Sequence, residues 1–103
     1  MITYTVDVQV PNDRVDEWMQ YMTSTHIEDV VRTGCFLSAV LHRVIEPIEE
    51  GNCRFRVVYA LQSTDHLHRY RQEFAADLQK HHTQQFGASV VATRSVTEEV
   101  IRI

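Results

Sequence analysis

Apolar and polar residues alternate from the second residue of the chain onward. Ile2, Tyr4, Val6, Val8 and Val10 share one parity, and Thr3, Thr5, Asp7 and Gln9 share the other. A period of two marks a half-buried strand, so residues 2–10 are read as one. Pro11-Asn12-Asp13 ends it and offers a helix N-cap, and Asp16 and Glu17 follow in a first turn, where they complement the helix dipole. From Val15 the period changes. Val15, Trp18, Met19 and Met22 take the i, i+3, i+4, i+7 spacing of an amphipathic helix, and His26 continues their stripe. Ile27, Val30 and Val31 do not: at ~100° per residue they form a second stripe, rotated by roughly a quarter turn or more. Between the stripes lies Thr23-Ser24-Thr25, whose hydroxyls compete for backbone hydrogen bonds. The pattern predicts a kink, or two helices end to end, with His26 at the break; the alternative is one slightly bent helix. The helical region runs to about Thr33 and stops at Gly34, where a left-handed backbone carries no Cβ penalty.

The period of two returns over residues 35–46. Leu37, Ala39, Leu41 and Ile45 lie on one side, interrupted by Arg43; Phe36, Val40 and Val44 lie on the other, with His42. A strand apolar on both faces predicts cover on both faces, and one layer of helices covers only one side of a sheet. A second copy of the chain is the simplest further cover, which predicts a homodimer formed through the sheet face away from the helices. Residues 47–52 form a turn ending in Gly51-Asn52, and residues 53–62 form a third strand, paired with the second as a hairpin. Ser63-Thr64-Asp65 caps a second helix, with Leu67, Tyr70, Phe74 and Leu78 as its stripe, flanked by Ala75 and His81. Arg69, Gln72, Glu73, Gln79 and Lys80 form its solvated face, and Phe86-Gly87 closes it. Residues 88–103 form the last strand. Val90, Ala92 and Val96 lie on one side, and Arg94 falls among them.

The order β-α-β-β-α-β predicts an α+β ferredoxin-like fold: a four-stranded antiparallel sheet with both helices on one face, in a single domain over residues 1–103. Antiparallel helices would place Trp18 beside His81, His82 and Phe86, and His26 near Tyr70 and Phe74.

Composition narrows the function classes. Hydrophobic residues make up 44% and charged residues 23%, which suits an ordered globular chain. The net charge of −4 gives no basic footprint for nucleic acid or an anionic membrane. No apolar run approaches the ~20 residues that span a bilayer, and the alternating start does not resemble a signal peptide, so a cytoplasmic location is expected. Cys35 and Cys53 would sit roughly ten residues apart along the hairpin, at ~3.3 Å each, so two free thiols are expected. The six histidines show no metal-site spacing: His66 and His68 diverge on a helix, as do His81 and His82. Neither a metal nor a cofactor is expected.

Trp18-Met19, Met22, His26-Ile27, Val30, Thr33-Gly34 and Phe36, then Arg43, Tyr59, Leu78, His82, Phe86-Gly87, Ala92 and Arg94, form a pattern. It resembles an uncharacterised family of small bacterial ferredoxin-like proteins, a domain family of unknown function. The resemblance covers nearly the whole chain, and the Trp-Met, His-Ile, Thr-Gly-x-Phe string is its most specific part. It implies the ferredoxin-like fold and kinship with the dimeric α+β barrels, and it supplies no activity. The chain departs from the pattern at Glu28, where proline is expected after His26-Ile27.

The predicted fold gathers Trp18, Met22 and His26 from the first helix, His82 from the second, and Tyr59 and Arg94 from the sheet. Apolar walls with a few convergent polar groups make a small-ligand pocket. Guanidinium and a flat indole suit an anionic or planar ligand. The competing reading of these residues is a plain packed core, with the arginine displaced by a bulge. Two function classes follow. One is a non-catalytic homodimeric domain that binds a small molecule or a protein partner. The other is a cofactor-less oxygenase or isomerase of the dimeric α+β barrel kind, with His26 or His82 as general base.

Overall fold

The opening alternation becomes β1, Ile2–Pro11, in a computed structural model that describes all 103 residues. β1 lies inside a four-stranded antiparallel sheet of order β2-β3-β1-β4, where β2 is Ser38–Arg43, β3 is Asn52–Leu61 and β4 is Val91–Glu98. Tyr4 stands opposite Tyr59 and Val96, and Val8 opposite Phe55 and Ala92. Opposed residues share a face, so Ile2, Tyr4, Val8 and Val10 line up with Phe55, Val57, Tyr59 and Leu61, all buried. The helices cover this face. The first helical region is α1, Val15–Tyr21, then a π-helical turn at Met22–His26, then α2, Ile27–Arg32. The second is α3, Thr64–Glu73, and α4, Ala75–Phe86. Trp18, Met22, Val30, Leu67, Tyr70, Ala75 and Phe86 join the strand residues in one apolar core. The fold is α+β and ferredoxin-like, as the element order predicts.

Several local expectations change. β2 starts at Ser38, not at residue 35, because Cys35 and Phe36 turn into the core ahead of it. Phe36 packs on the helix side, 5.0 Å from the Tyr59 ring and 4.8 Å from the Tyr70 ring. β2 is therefore not apolar on both faces; its outward side is Ser38, Val40 and His42. Arg43 interrupts the inward side because its guanidinium lies over the Phe55 ring, 5.0 Å from the centroid. The second helix is not continuous. Phe74, with φ −129°, twists the chain between α3 and α4 and shifts the inward stripe to Ala75, His82 and Phe86. Neither expected N-cap uses its side chain on the backbone: the Ser63 hydroxyl pairs with Nδ1 of His66 at 2.7 Å, and Asn12 Oδ1 accepts from Cys53 Sγ at 3.2 Å. β4 is shorter than residues 88–103, since its pairing with β1 covers only 91–98. Within the chain the sheet is open, with β2 and β4 as its edges, and does not close into a barrel. Both cysteines are free.

Candidate functional site

The site is built around the π-helical turn. In an α-helix four residues overshoot one turn by ~40°. A π turn takes more residues per turn and undershoots it. The Met22–His26 segment therefore cancels drift that would otherwise carry the stripe away. Trp18, Met22, His26 and Val30, at a constant spacing of four, all stay on the inward side. The two sequence stripes are thus one face rejoined. The hydroxyls between them have a part in this: Thr23 Oγ1 donates to the Met19 carbonyl at 2.7 Å, and Ser24 Oγ donates to the Gln20 carbonyl. Carbonyls held by side chains depend less on the regular i→i+4 ladder.

α4 brings His82 to the same place. Trp18 is fully buried, and its Nε1–H donates to His82 Nε2 at 3.1 Å. An accepting Nε2 places the proton of neutral His82 on Nδ1. The His26 and His82 rings meet edge to face at 5.6 Å, and Tyr21 lies against both, at 5.6 and 6.0 Å. Arg14 fixes the helix ends beside this corner. Its guanidinium donates to the Phe86 and Gln85 carbonyls, both at 3.3 Å, and lies 4.9 Å from the Phe86 ring centroid. A cation on the last carbonyls of α4 also complements the helix dipole.

Between these helices and the sheet is a cavity of about 40 Å³. Its walls are Tyr4, Val6 and Val8 from β1, Val57 and Tyr59 from β3, and Tyr70 from α3. Met22, His26 and Val30 close it from the first helical region, and Gln79 and His82 from α4. Ala92 and Arg94 complete it from β4. Of the six residues singled out in the sequence, Met22, His26, Tyr59, His82 and Arg94 line the cavity. Trp18 does not; it holds His82 from behind. His26 sits against His82, with Tyr70 in the wall of the same cavity. Gln79, expected on the solvated face, is half-buried in the wall, three residues before His82 on the same helix. Tyr4 and Tyr70 are further wall residues outside the six, and the parity of Tyr4 with Val6 and Val8 is the sequence signal for the first of them.

Arg94 is exposed, not buried. It stands on the edge strand opposite Val6 and lines the cavity while remaining exposed. Six arginines of the chain hold carboxylates, and Arg43 and Arg71 lie over the rings of Phe55 and Tyr4. Arg94 alone has no ion pair, hydrogen bond or ring. Its charge acts on the cavity groups. Burial chiefly, then His82, Arg94 and His81, push His26 down to about 4 against an opposing pull from Asp29. Burial and Arg94 lower His82, while burial raises Tyr59 and Tyr70. Both imidazoles are therefore neutral at neutral pH. None of the three cavity tyrosines uses its hydroxyl within the chain, and no sealed polar side-chain atom lacks a partner, so these hydroxyls reach water. No group of three or more His, Cys, Asp or Glu is arranged to hold a metal ion, and no helix is long and apolar enough to cross a membrane.

Residues 1–100 match the model of a family described as "Domain of unknown function (DUF4286)". The chain belongs to that family. No curated protein matches it. Among solved structures, the family member is similar to a dimeric ferredoxin-like protein from an uncultured marine organism, with a TM-score of 0.71 at 11% identity over 99% of this chain and 97% of that one. It is similar to a mutant of MhuD carrying two manganese protoporphyrin IX per active site, with a TM-score of 0.71 at 16% identity over 100% and 98%. A dimeric ferredoxin-like protein of unknown function from Thermobifida fusca gives 0.55 at 19% identity over 94% and 92%. Identities this low speak for the fold alone, and they agree with the ferredoxin-like assignment.

Proposed function

We propose that residues 1–103 form one homodimeric, non-catalytic domain that binds a small anionic molecule between its helices and sheet. Arg94 carries this reading: it is the one arginine with no partner, and it lines an apolar-walled cavity beside two neutral histidines. An anion would answer it through charge-assisted hydrogen bonds. A large planar ligand is disfavoured, because about 40 Å³ does not accommodate a porphyrin-sized ring. The enzyme reading keeps one support, since the neutral imidazoles of His26 and His82 both line the cavity. His26, held near 4, takes protons poorly at neutral pH, however, and the accepting Nε2 of His82 is occupied by the Trp18 indole, so binding is favoured.

The dimer is supported by the solved relatives described as dimeric and by the uncovered sheet face. That face carries Val40 and Val91, each about half exposed, with Val58 and Ala60 among threonines. Light scattering at micromolar concentration should give twice the 12.0 kDa chain mass; a monomer would remove the dimer from the proposal. The binding reading is tested by a thermal-shift screen of metabolites on the parent chain and on Arg94→Leu. A compound that raises the melting point of the parent and not of the variant is expected, and a screen without one counts against the pocket.

A further inference from the structure

The occupant's chemistry is narrowed further by the donors that two lining residues, His82 and Arg94, leave unused. We propose that the cavity takes a short-chain monocarboxylate, held by the Arg94 guanidinium and the His82 Nδ1–H, with its alkyl body against the tyrosine and valine walls. This rests on the binding reading above and deepens it.

Three observations converge. First, the indole of Trp18 occupies His82 Nε2, so the neutral ring offers an N–H at Nδ1, and no group of the chain accepts it. Second, Arg94 is donor-only and unanswered. The acidic group acting on this corner, Asp29, bears on Tyr21 and His26 and not on His82. The lining thus offers unused donors and a positive charge, which suits a carboxylate's two acceptor oxygens. Third, size limits the body. One water needs roughly 10–15 Å³ of such space, so about 40 Å³ takes a body of roughly three heavy atoms.

The test titrates butyrate, butyramide and n-butylamine into the parent chain, Arg94→Gln and Arg102→Gln, by calorimetry and by the emission of Trp18, the chain's one tryptophan. Butyrate is expected to bind the parent and Arg102→Gln alike and to change the emission. Arg94→Gln should weaken it roughly 10- to 100-fold, the loss expected when a charged hydrogen-bond partner is removed. Butyramide and butylamine should bind at least about tenfold more weakly than butyrate by the same arithmetic. Long-range proton–nitrogen imidazole spectra should show His82 as the Nδ1–H tautomer, and Trp18→Phe should mix the two tautomers. Equal binding of butyramide, or equal butyrate binding by Arg94→Gln, overturns the carboxylate site. So does a parent His82 protonated at Nε2. If none of the three probes binds but the metabolite screen yields a compound of another class, the pocket stands and this narrowing fails. If the screen is blank as well, both fail.

Discussion

Two arginines stand one rung apart on opposite faces of the same sheet. Asp7 of β1 faces outward and pairs with Arg56 of β3, whose Nε lies 2.7 Å from its carboxylate. Val6, its neighbour, faces the helices and stands opposite Arg94 of β4. The uncovered face answers its charge within the chain. The covered face places the same side chain beside valines, tyrosines and two neutral histidines and leaves it unanswered. A guanidinium paired within its own chain on a strand surface needs no ligand to explain it, and a half-exposed pair of this kind is worth little. A guanidinium without a partner in the lining of an apolar cavity is a feature that packing does not require.

This contrast can be broken from either side. The largest effect should come from the covered face itself. Phe55, almost fully buried and 4.8 Å from the Trp18 ring, should cost about 3–5 kcal/mol on truncation to alanine. Val58→Ala, on the face proposed to meet the partner subunit, removes two methyl groups and should cost about 2 kcal/mol at most. Urea unfolding of both variants measures the difference, and equal losses would mean that both faces are core. The next effect is acid sensitivity. His26 is held near 4 in the folded chain against 6.5 when unfolded, so the unfolded state takes up a proton first as pH falls. Stability is complete above about 6.5 and declines toward 4, by on the order of 3 kcal/mol from this group. His82, also lowered, adds in the same direction. His26→Leu should flatten that decline between about pH 7 and pH 4.5; an unchanged slope would place the acid sensitivity elsewhere. Smaller still, Asp7→Asn should cost about 0.2–1 kcal/mol, because its partner Arg56 is half exposed. Arg94→Leu should change stability least, within about 0.5 kcal/mol of the parent, while removing ligand-induced stabilisation. A large destabilisation there would show Arg94 to be structural.

Much of this was legible in the chain. The parity of Ile2 to Val10, the hairpin turn and the helix stripes are local signals, and together they define the β-α-β-β-α-β order. Antiparallel helices then put Trp18 beside His82, and the parity of Ala92 and Val96 put Arg94 on the covered side. What escaped depends on single backbone positions. The twist at Phe74 is one φ angle, and the stripe from Leu67 to Leu78 reads as continuous without it, which misplaced Gln79. The π-helical turn was signalled by Thr23-Ser24-Thr25, but apolar spacing alone does not tell a kink from a wider turn. Phe36 misled because it belongs to an irregular lead-in rather than to the strand that its parity suggests. The exposure of Arg94 follows from β4 being an edge, a property of strand order that no local pattern carries.

The central claim is that the corner formed by His26, His82 and Arg94 is an open binding site rather than incomplete packing. A crystal structure of the protein purified without added ligand tests it most directly. The account predicts a bounded feature of ordered water or a small molecule between the layers, within hydrogen-bond reach of both the Arg94 guanidinium and His82 Nδ1. Side chains closed over the space, with Arg94 turned away to a protein carboxylate, would contradict it.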